Sequence, residues 1–392
     1  MRQGRGDARL HLGWRSVLGQ TLDVKQRGRT TSKGTAHMRL RAITHTVLAA
    51  MLSTAGILTG AAPAAAATYT VTPLPLPDHA DMLVVPVRHD LYVAGGDRIV
   101  VADQTGNLVR TINGQTGVSG LATSADGRRV YAALSGAHAI SAINTTTRRE
   151  LRRYPVGRAC PGDVVTAVGK LWFTSSCAEG SDGRVSALDL KTGAITRYVT
   201  GLPTARGAPL LTVFEREGWG VRLIVAARDL SGSELRVLDI TSGAPDPMCW
   251  GPGPCEARIR GIVNDLAVTA GAADIVLATG EQFHPELSIF GLAEIRSYPT
   301  GPYPTAVAVA PGGRLALGSW SPRGDDTDLF GYIEGGTEPE WTQELGTRET
   351  AANDVAPRGL AWSTDDSWLY TVVTDGAGGR PVLHSRLMFP RP

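Results

Sequence analysis

The sequence has no Cys-x-x-Cys pair, no histidine cluster, no Gly-x-Ser-x-Gly elbow and no glycine-rich phosphate loop between a strand and a helix. Their absence removes the usual signatures of zinc centres, serine hydrolases and nucleotide-binding enzymes. Lysine is scarce, confined to Lys25, Lys33, Lys170 and Lys191. The first 67 residues hold ten of the 39 basic residues and two of the 37 acidic ones, so the rest carries 29 basic against 35 acidic, a net charge of −6. The overall charge of +2 therefore belongs to the N-terminal segment, and an acidic remainder disfavours nucleic acid or anionic lipid as a partner.

Only one apolar run stands out. Residues 42–60 lack charge, follow Arg39 and Arg41, and lead into small residues ending at Ala67. This is the order of a signal peptide over residues 38–67, cleaved after Ala67. Residues 1–37, polar and preceding a second Met at position 38, are expected to be a disordered, mis-assigned upstream segment. The mature chain, residues 68–392, is then secreted and extracellular, and with no second apolar run it has no membrane span.

Short alternating runs fill the rest. In Val130-Tyr131-Ala132-Ala133-Leu134 and Ala139-Ile140-Ser141-Ala142-Ile143-Asn144 apolar and small residues alternate around a Gly-containing turn, the period of half-buried strands. The same second-strand position recurs at Leu91, Val130, Leu171, Leu223, Ile275, Leu315 and Leu369, with spacings from about 39 to about 54 residues. Gly and Asp at the turns supply the backbone angles of tight hairpins. The last unit provides three strands, Gly359 to Trp362, Trp368 to Val373 and Val382 to Leu387, while Tyr69 to Leu74 is a strand with no unit of its own. The fold class is therefore all-β: a seven-bladed β-propeller whose N-terminal strand completes the last blade and removes an exposed edge.

The wording of the units resembles the YVTN-repeat (WD40-like) propellers, in a secreted bacterial branch. Val130-Tyr131-Ala132-Ala133, Arg184-Val185-Ser186-Ala187-Leu188-Asp189 and Thr300-Gly301-Pro302-Tyr303-Pro304-Thr305-Ala306-Val307 carry the resemblance, which covers most of residues 69–392. It implies a fold and leaves the task open, because this fold hosts binders and enzymes alike.

Four cysteines in an exported chain point to disulfides, and local pairing, Cys160 with Cys177 and Cys249 with Cys255, is the simplest of three possibilities. Cys160 precedes the first strand of one unit and Cys177 follows its second, so antiparallel pairing brings them together. No metal and no cofactor is expected.

In a propeller the residue before each innermost strand rings the channel mouth. The units place Asp81, Ser119, Asp163, Arg206, Asn264, Asp265, Thr305 and Arg358 there. Asp81, Asp163, Arg206, Asp265 and Arg358 are the candidate ligand-binding set; no catalytic residue is assigned. Mixed charges in such a groove also serve as structural ion networks. His79, His89, His138, His284 and His384 are scattered without metal-ligand spacing and read as solvated loop or strand-end residues. Asp325-Asp326-Thr327-Asp328 departs from a calcium loop and reads as solvated. Trp172, Trp362 and Trp368 fall on strands and are expected to pack between blades; Trp219, Trp250, Trp320 and Trp341 would stack on carbohydrate only if they shared a face. The expectation is a non-enzymatic monomeric binding platform for a protein or envelope glycan, with a lactonase-like hydrolase or lyase at the channel mouth as the alternative.

Overall fold

A computed structural model of the chain describes residues 69–389 apart from 178–182, 203–206, 230–231, 250–255, 281, 321–326, 346–352 and 376–378. It contains seven antiparallel sheets and, among the described residues, no helix. Blades 1 to 6 occupy residues 81–113, 118–155, 161–202, 210–259, 265–299 and 304–343; blade 7 joins residues 353–387 to the N-terminal strand Tyr69–Pro73. That strand lies antiparallel to Val382–Leu387, with Tyr69 opposite Arg386 and Pro73 opposite Val382. Each innermost strand packs on the next, and that of blade 7 packs on that of blade 1, so the ring closes.

The core is a set of wedges between blades. On the second strand of blade 1, Leu91 and Val93 point toward blade 7, among Leu74, Leu76, Trp368 and Tyr370. Tyr92 and Ala94, one residue out of phase, point toward blade 2, among Leu121, Val130 and Ala132. The period-two alternation therefore separates two apolar faces, which is why the second strands are buried along almost their whole length. Polar residues collect on outer strands such as Arg149–Pro155. Blade 4 departs from the pattern: its outer position is shared by Asp246–Pro247 and Glu256–Ile259, both paired with Ser233–Asp239.

Cys160 and Cys177 form a disulfide with Cα atoms 4.9 Å apart, clipping the start of the first strand of blade 3 to the end of its second. Cys249 is disulfide-bonded; Cys255, its expected partner, lies outside the described residues. The expected signal peptide, residues 38–67, and the upstream residues 1–37 also lie outside them. Trp172, Trp362 and Trp368 are buried between blades. Asp325 and Asp326 are outside the described residues, but Asp328 is buried rather than solvated, and its carboxylate accepts the Leu345 N–H at 2.7 Å.

Candidate functional site

Innermost strands approach closely around the axis. A Cβ at Gly120 would lie 2.8 Å from the Gly162 carbonyl oxygen, so a side chain there would force two blades apart. Between such strands, three aspartates repeat one device. Asp81, Asp163 and Asp265, on blades 1, 3 and 5, each accept the N–H of the following residue, at 2.9 Å in all three cases. With the second carboxylate oxygen each reaches the innermost strand of the next blade. Asp81 accepts the Leu121 N–H at 2.6 Å, Asp163 the Leu211 N–H at 2.8 Å and Asp265 the Val307 N–H at 2.9 Å. Odd blades are thereby stitched to even ones.

Blade 7 supplies the cation. Its first strand, Asn353–Trp362, shifts register between Val355 and Leu360, and within this bulge Arg358 adopts a left-handed φ of 59°. Its Nη2 donates to Asp81 Oδ2 at 2.8 Å and to Asp163 Oδ1 at 2.9 Å, and its Nη1 to the Ser119 carbonyl at 3.3 Å. Nε2 of His79 donates to the Arg358 carbonyl at 3.3 Å. Four of the five candidate ligand-binding residues, Asp81, Asp163, Asp265 and Arg358, thus converge; Arg206 lies outside the described residues.

Three buried carboxyls face one guanidinium. Burial, opposed by Arg358 and reinforced by Asp163, pushes Asp81 up to about 7. Burial likewise pushes Asp265 up to about 7, against its two backbone donors and a more distant Arg358. Burial alone would lower Arg358, but Asp163, Asp81 and Asp265 together hold its proton well above the ordinary range. The quartet spends its polar atoms on backbone groups and on itself, which is the behaviour of an internal scaffold.

Beside the quartet, on the same face, a depression of about 670 Å³ opens between blades 5, 6 and 7. Asn264, Tyr303, Thr305, Trp320 and Asp354 line it together with Val355 and Pro357. Tyr303 is 45% exposed and held at a left-handed φ of 55° between two prolines. Its ring stands 5.0 Å from that of Trp320, tilted by 43°. At the base Thr305 is only 8% exposed, and its hydroxyl has no partner. The sequence placed Trp320 among four possible stacking residues, but the structure separates these. Trp219 packs on Phe290 at the turn on the opposite face, Trp341 lies on the outer strand of blade 6, and Trp250 is outside the described residues. The partner of Trp320 is Tyr303, which in the sequence stands only within the stretch that carries the propeller resemblance.

Two histidines, His284 and His384, differ from the solvated reading; His384 is buried on the third strand of blade 7 with Nδ1 2.6 Å from the Tyr69 hydroxyl, whereas His138 is exposed at a turn as expected. His284 lies on the third strand of blade 5, fully buried, with Nδ1 against Thr300 Oγ1 at 2.8 Å and Nε2 donating to the Ala306 carbonyl at 3.1 Å. Burial drives it down to about 3, so it folds neutral. A depressed histidine stabilises above its unfolded value of 6.5 and loses that contribution as pH falls toward its folded value. The cost of His284→Gln is therefore greatest at pH 7 and shrinks by about 3 kcal/mol at pH 4. Urea denaturation at both pH values checks this, and an unchanged difference would disprove it. His138, placed on a loop by the sequence, sits beside the Cys160–Cys177 disulfide with Nδ1 3.6 Å from Cys160 Sγ.

No family model and no curated protein matches the chain. Among solved structures it is similar to the Cps50 (Swd1) β-propeller domain of Myceliophteria thermophila, at 12% identity over 82% of this chain and 99% of that one, with a TM-score of 0.60. It is also similar to the RRP9 WD40 repeats, at 14% identity over 82% of this chain and 97% of that one, with a TM-score of 0.61. At these identities the likeness is one of fold, a WD40-like seven-bladed propeller. No helix of the described residues is long and apolar enough to cross a membrane.

Proposed function

We propose that this chain is an exported, YVTN-like propeller that acts as a monomeric binding platform and takes a neutral glycan at the mouth between blades 5, 6 and 7. The observation that carries the reading is the Tyr303–Trp320 pair, which lines the same depression as Thr305, a residue whose hydroxyl has no partner. Aromatic faces receive the apolar C–H face of a sugar ring, while a buried hydroxyl without a partner gains most from a ligand that supplies one. The volume is in the range of small-molecule sites. Among the described lining residues Asp354 supplies the one carboxyl and Tyr303 the one phenol.

Export is supported by the signal-peptide order of residues 38–67 and by cysteines held in disulfides. Cleavage after Ala67 would free the chain immediately ahead of the strand that begins at Tyr69. A closed ring presents many loops and leaves only the short outer edge of each blade uncovered, which suits a monomer used for recognition.

A glycan array followed by calorimetry on the best neutral oligosaccharide tests the proposal. Tyr303→Ala and Trp320→Ala should each weaken binding about tenfold or more, equivalent to about 1.4 kcal/mol, while Tyr303→Ala leaves the melting temperature close to wild type. Absence of any glycan ligand, or full affinity in both variants, would overturn it and leave a protein partner as the reading to pursue.

A further inference from the structure

We propose that Cys160–Cys177 is a thiol–disulfide exchange site for a small anionic thiol, with Cys177 as the sulfur attacked and Cys160 as the leaving group. Three observations converge where blade 3 meets blade 2, away from the Tyr303–Trp320 pocket on blades 5 to 7 and independent of the reading given to it. The first is access: Cys177 is exposed and Cys160 half-buried. The second is charge. A pocket of about 290 Å³ beside Cys177 is lined by Arg158, Arg184 and Arg197, all exposed, with no acidic side chain among the described lining residues. A cationic pocket on a chain whose mature charge is −6 selects locally against the overall field.

The third is the imidazole of His138. It is held at a left-handed φ of 50°, and its Nδ1 donates to the Ala159 carbonyl at 3.0 Å while lying 3.6 Å from Cys160 Sγ. That N–H is placed to turn toward negative charge developing on Cys160. A structural clip needs neither a guanidinium cluster at one sulfur nor an imidazole N–H at the other. Thiolate exchange uses both: the cations attract the incoming anion, and the N–H stabilises the departing one.

The chemistry closes without another reactant. The thiolate R–S⁻ attacks Cys177 Sγ, forming an R–S–Cys177 bond as the bond to Cys160 breaks, and the released electron pair resides on Cys160 Sγ. A second thiolate attacks the sulfur of R, releasing R–S–S–R and leaving Cys177 as a thiolate. Two small thiols are oxidised to one disulfide, and the protein disulfide is reduced to two thiols. With R–S–S–R in excess the same steps run backward.

The experiment uses the full oxidised chain with thioglycolate, an anion, and cysteamine, a cation. Each rate is normalised to that thiol's rate with hydroxyethyl disulfide, and the opened cysteines are identified by alkylation and mass mapping. Thioglycolate should open Cys160–Cys177 about tenfold faster or more than cysteamine on the normalised scale. Replacing Arg158, Arg184 and Arg197 together by Gln should abolish that preference, and the first adduct should map to Cys177. His138→Ala should slow both thiols alike. Cys160→Ser gives a second measure: its Cys177 thiol should react with dithiodiglycolate in preference to cystamine. Equal normalised rates for the two thiols, a first adduct on Cys160, or earlier opening of the disulfide of Cys249 would overturn the proposal.

Discussion

Arg358→Met is expected to be the costliest single substitution at the channel mouth, removing about 3 to 5 kcal/mol of stability at pH 8. The Arg358 side chain is 17% exposed and its guanidinium bonds Asp81 and Asp163, each of which also holds the backbone of the following blade. Without it, three nearly buried carboxyls face one another with no cation between them. The system then relieves itself by taking up protons, and the raised positions of Asp81 and Asp265 show which groups are ready to do so. A carboxyl raised from its unfolded 3.8 to about 7 favours the folded state at low pH and loses that contribution as pH rises through 7. The loss caused by Arg358→Met should accordingly be smaller at pH 5 than at pH 8. Arg358→Lys should recover only part of it, because an ammonium cannot serve both carboxylates and the Ser119 carbonyl with the guanidinium's fixed fork. Denaturant titrations at the two pH values measure this; a variant that folds at pH 5 but not at pH 8 gives the same answer. A cost below about 1 kcal/mol, or one equal at both pH values, would show that the quartet is not a charge-balanced unit.

Much of the fold was legible because it is local. Alternation in Val130 to Leu134, Gly-containing turns and a three-strand final unit beside an unassigned N-terminal strand follow from the chain alone, and the structure shows the closed ring they imply. The candidate positions Asp81, Asp163 and Asp265 were legible for a related reason: each falls at or near the start of an innermost strand, so aligning the units superposes them. Their bonding was not legible. The N–H groups they hold lie 40, 48 and 42 residues further along, and nothing in the local sequence says that a carboxylate will be spent on the next blade. The bulge that aims Arg358 inward was hidden likewise, since Ala356-Pro357-Arg358-Gly359 reads as an ordinary turn. Tyr303 between two prolines looks like a connector, and only the ring's curvature brings it to Trp320. His284 read as solvated because its partner Ala306 belongs to another blade. The contact of His138 with Cys160, 22 residues away, depends in the same way on the meeting of adjacent blades.

Removing residues 69–76 should prevent the isolated remainder, residues 77–392, from folding stably. The strand Tyr69–Pro73 covers the backbone edge of Val382–Leu387, and the side chains of Thr70 and Thr72 bond to the carbonyls of Thr105 and Gly106 on blade 1. The segment then buries Leu74 and Leu76 almost completely in the wedge between blades 7 and 1. Truncating one such leucine to alanine typically costs about 2 to 5 kcal/mol, so the two together rival the roughly 5 to 15 kcal/mol by which a domain is usually stable. The exposed edge of Val382–Leu387 would also invite pairing between chains. The decisive measurement is rescue in trans. A synthetic peptide of residues 69–77 should restore cooperative melting to the shortened chain, with a melting temperature that rises with peptide concentration, as binding linkage requires. The same peptide carrying Leu74→Asp and Leu76→Asp should fail, because a charge in that wedge has no partner to offset its desolvation. A shortened chain that melts like the intact one without peptide would mean that closure at blade 7 contributes little, and that the seven wedges hold the ring without it.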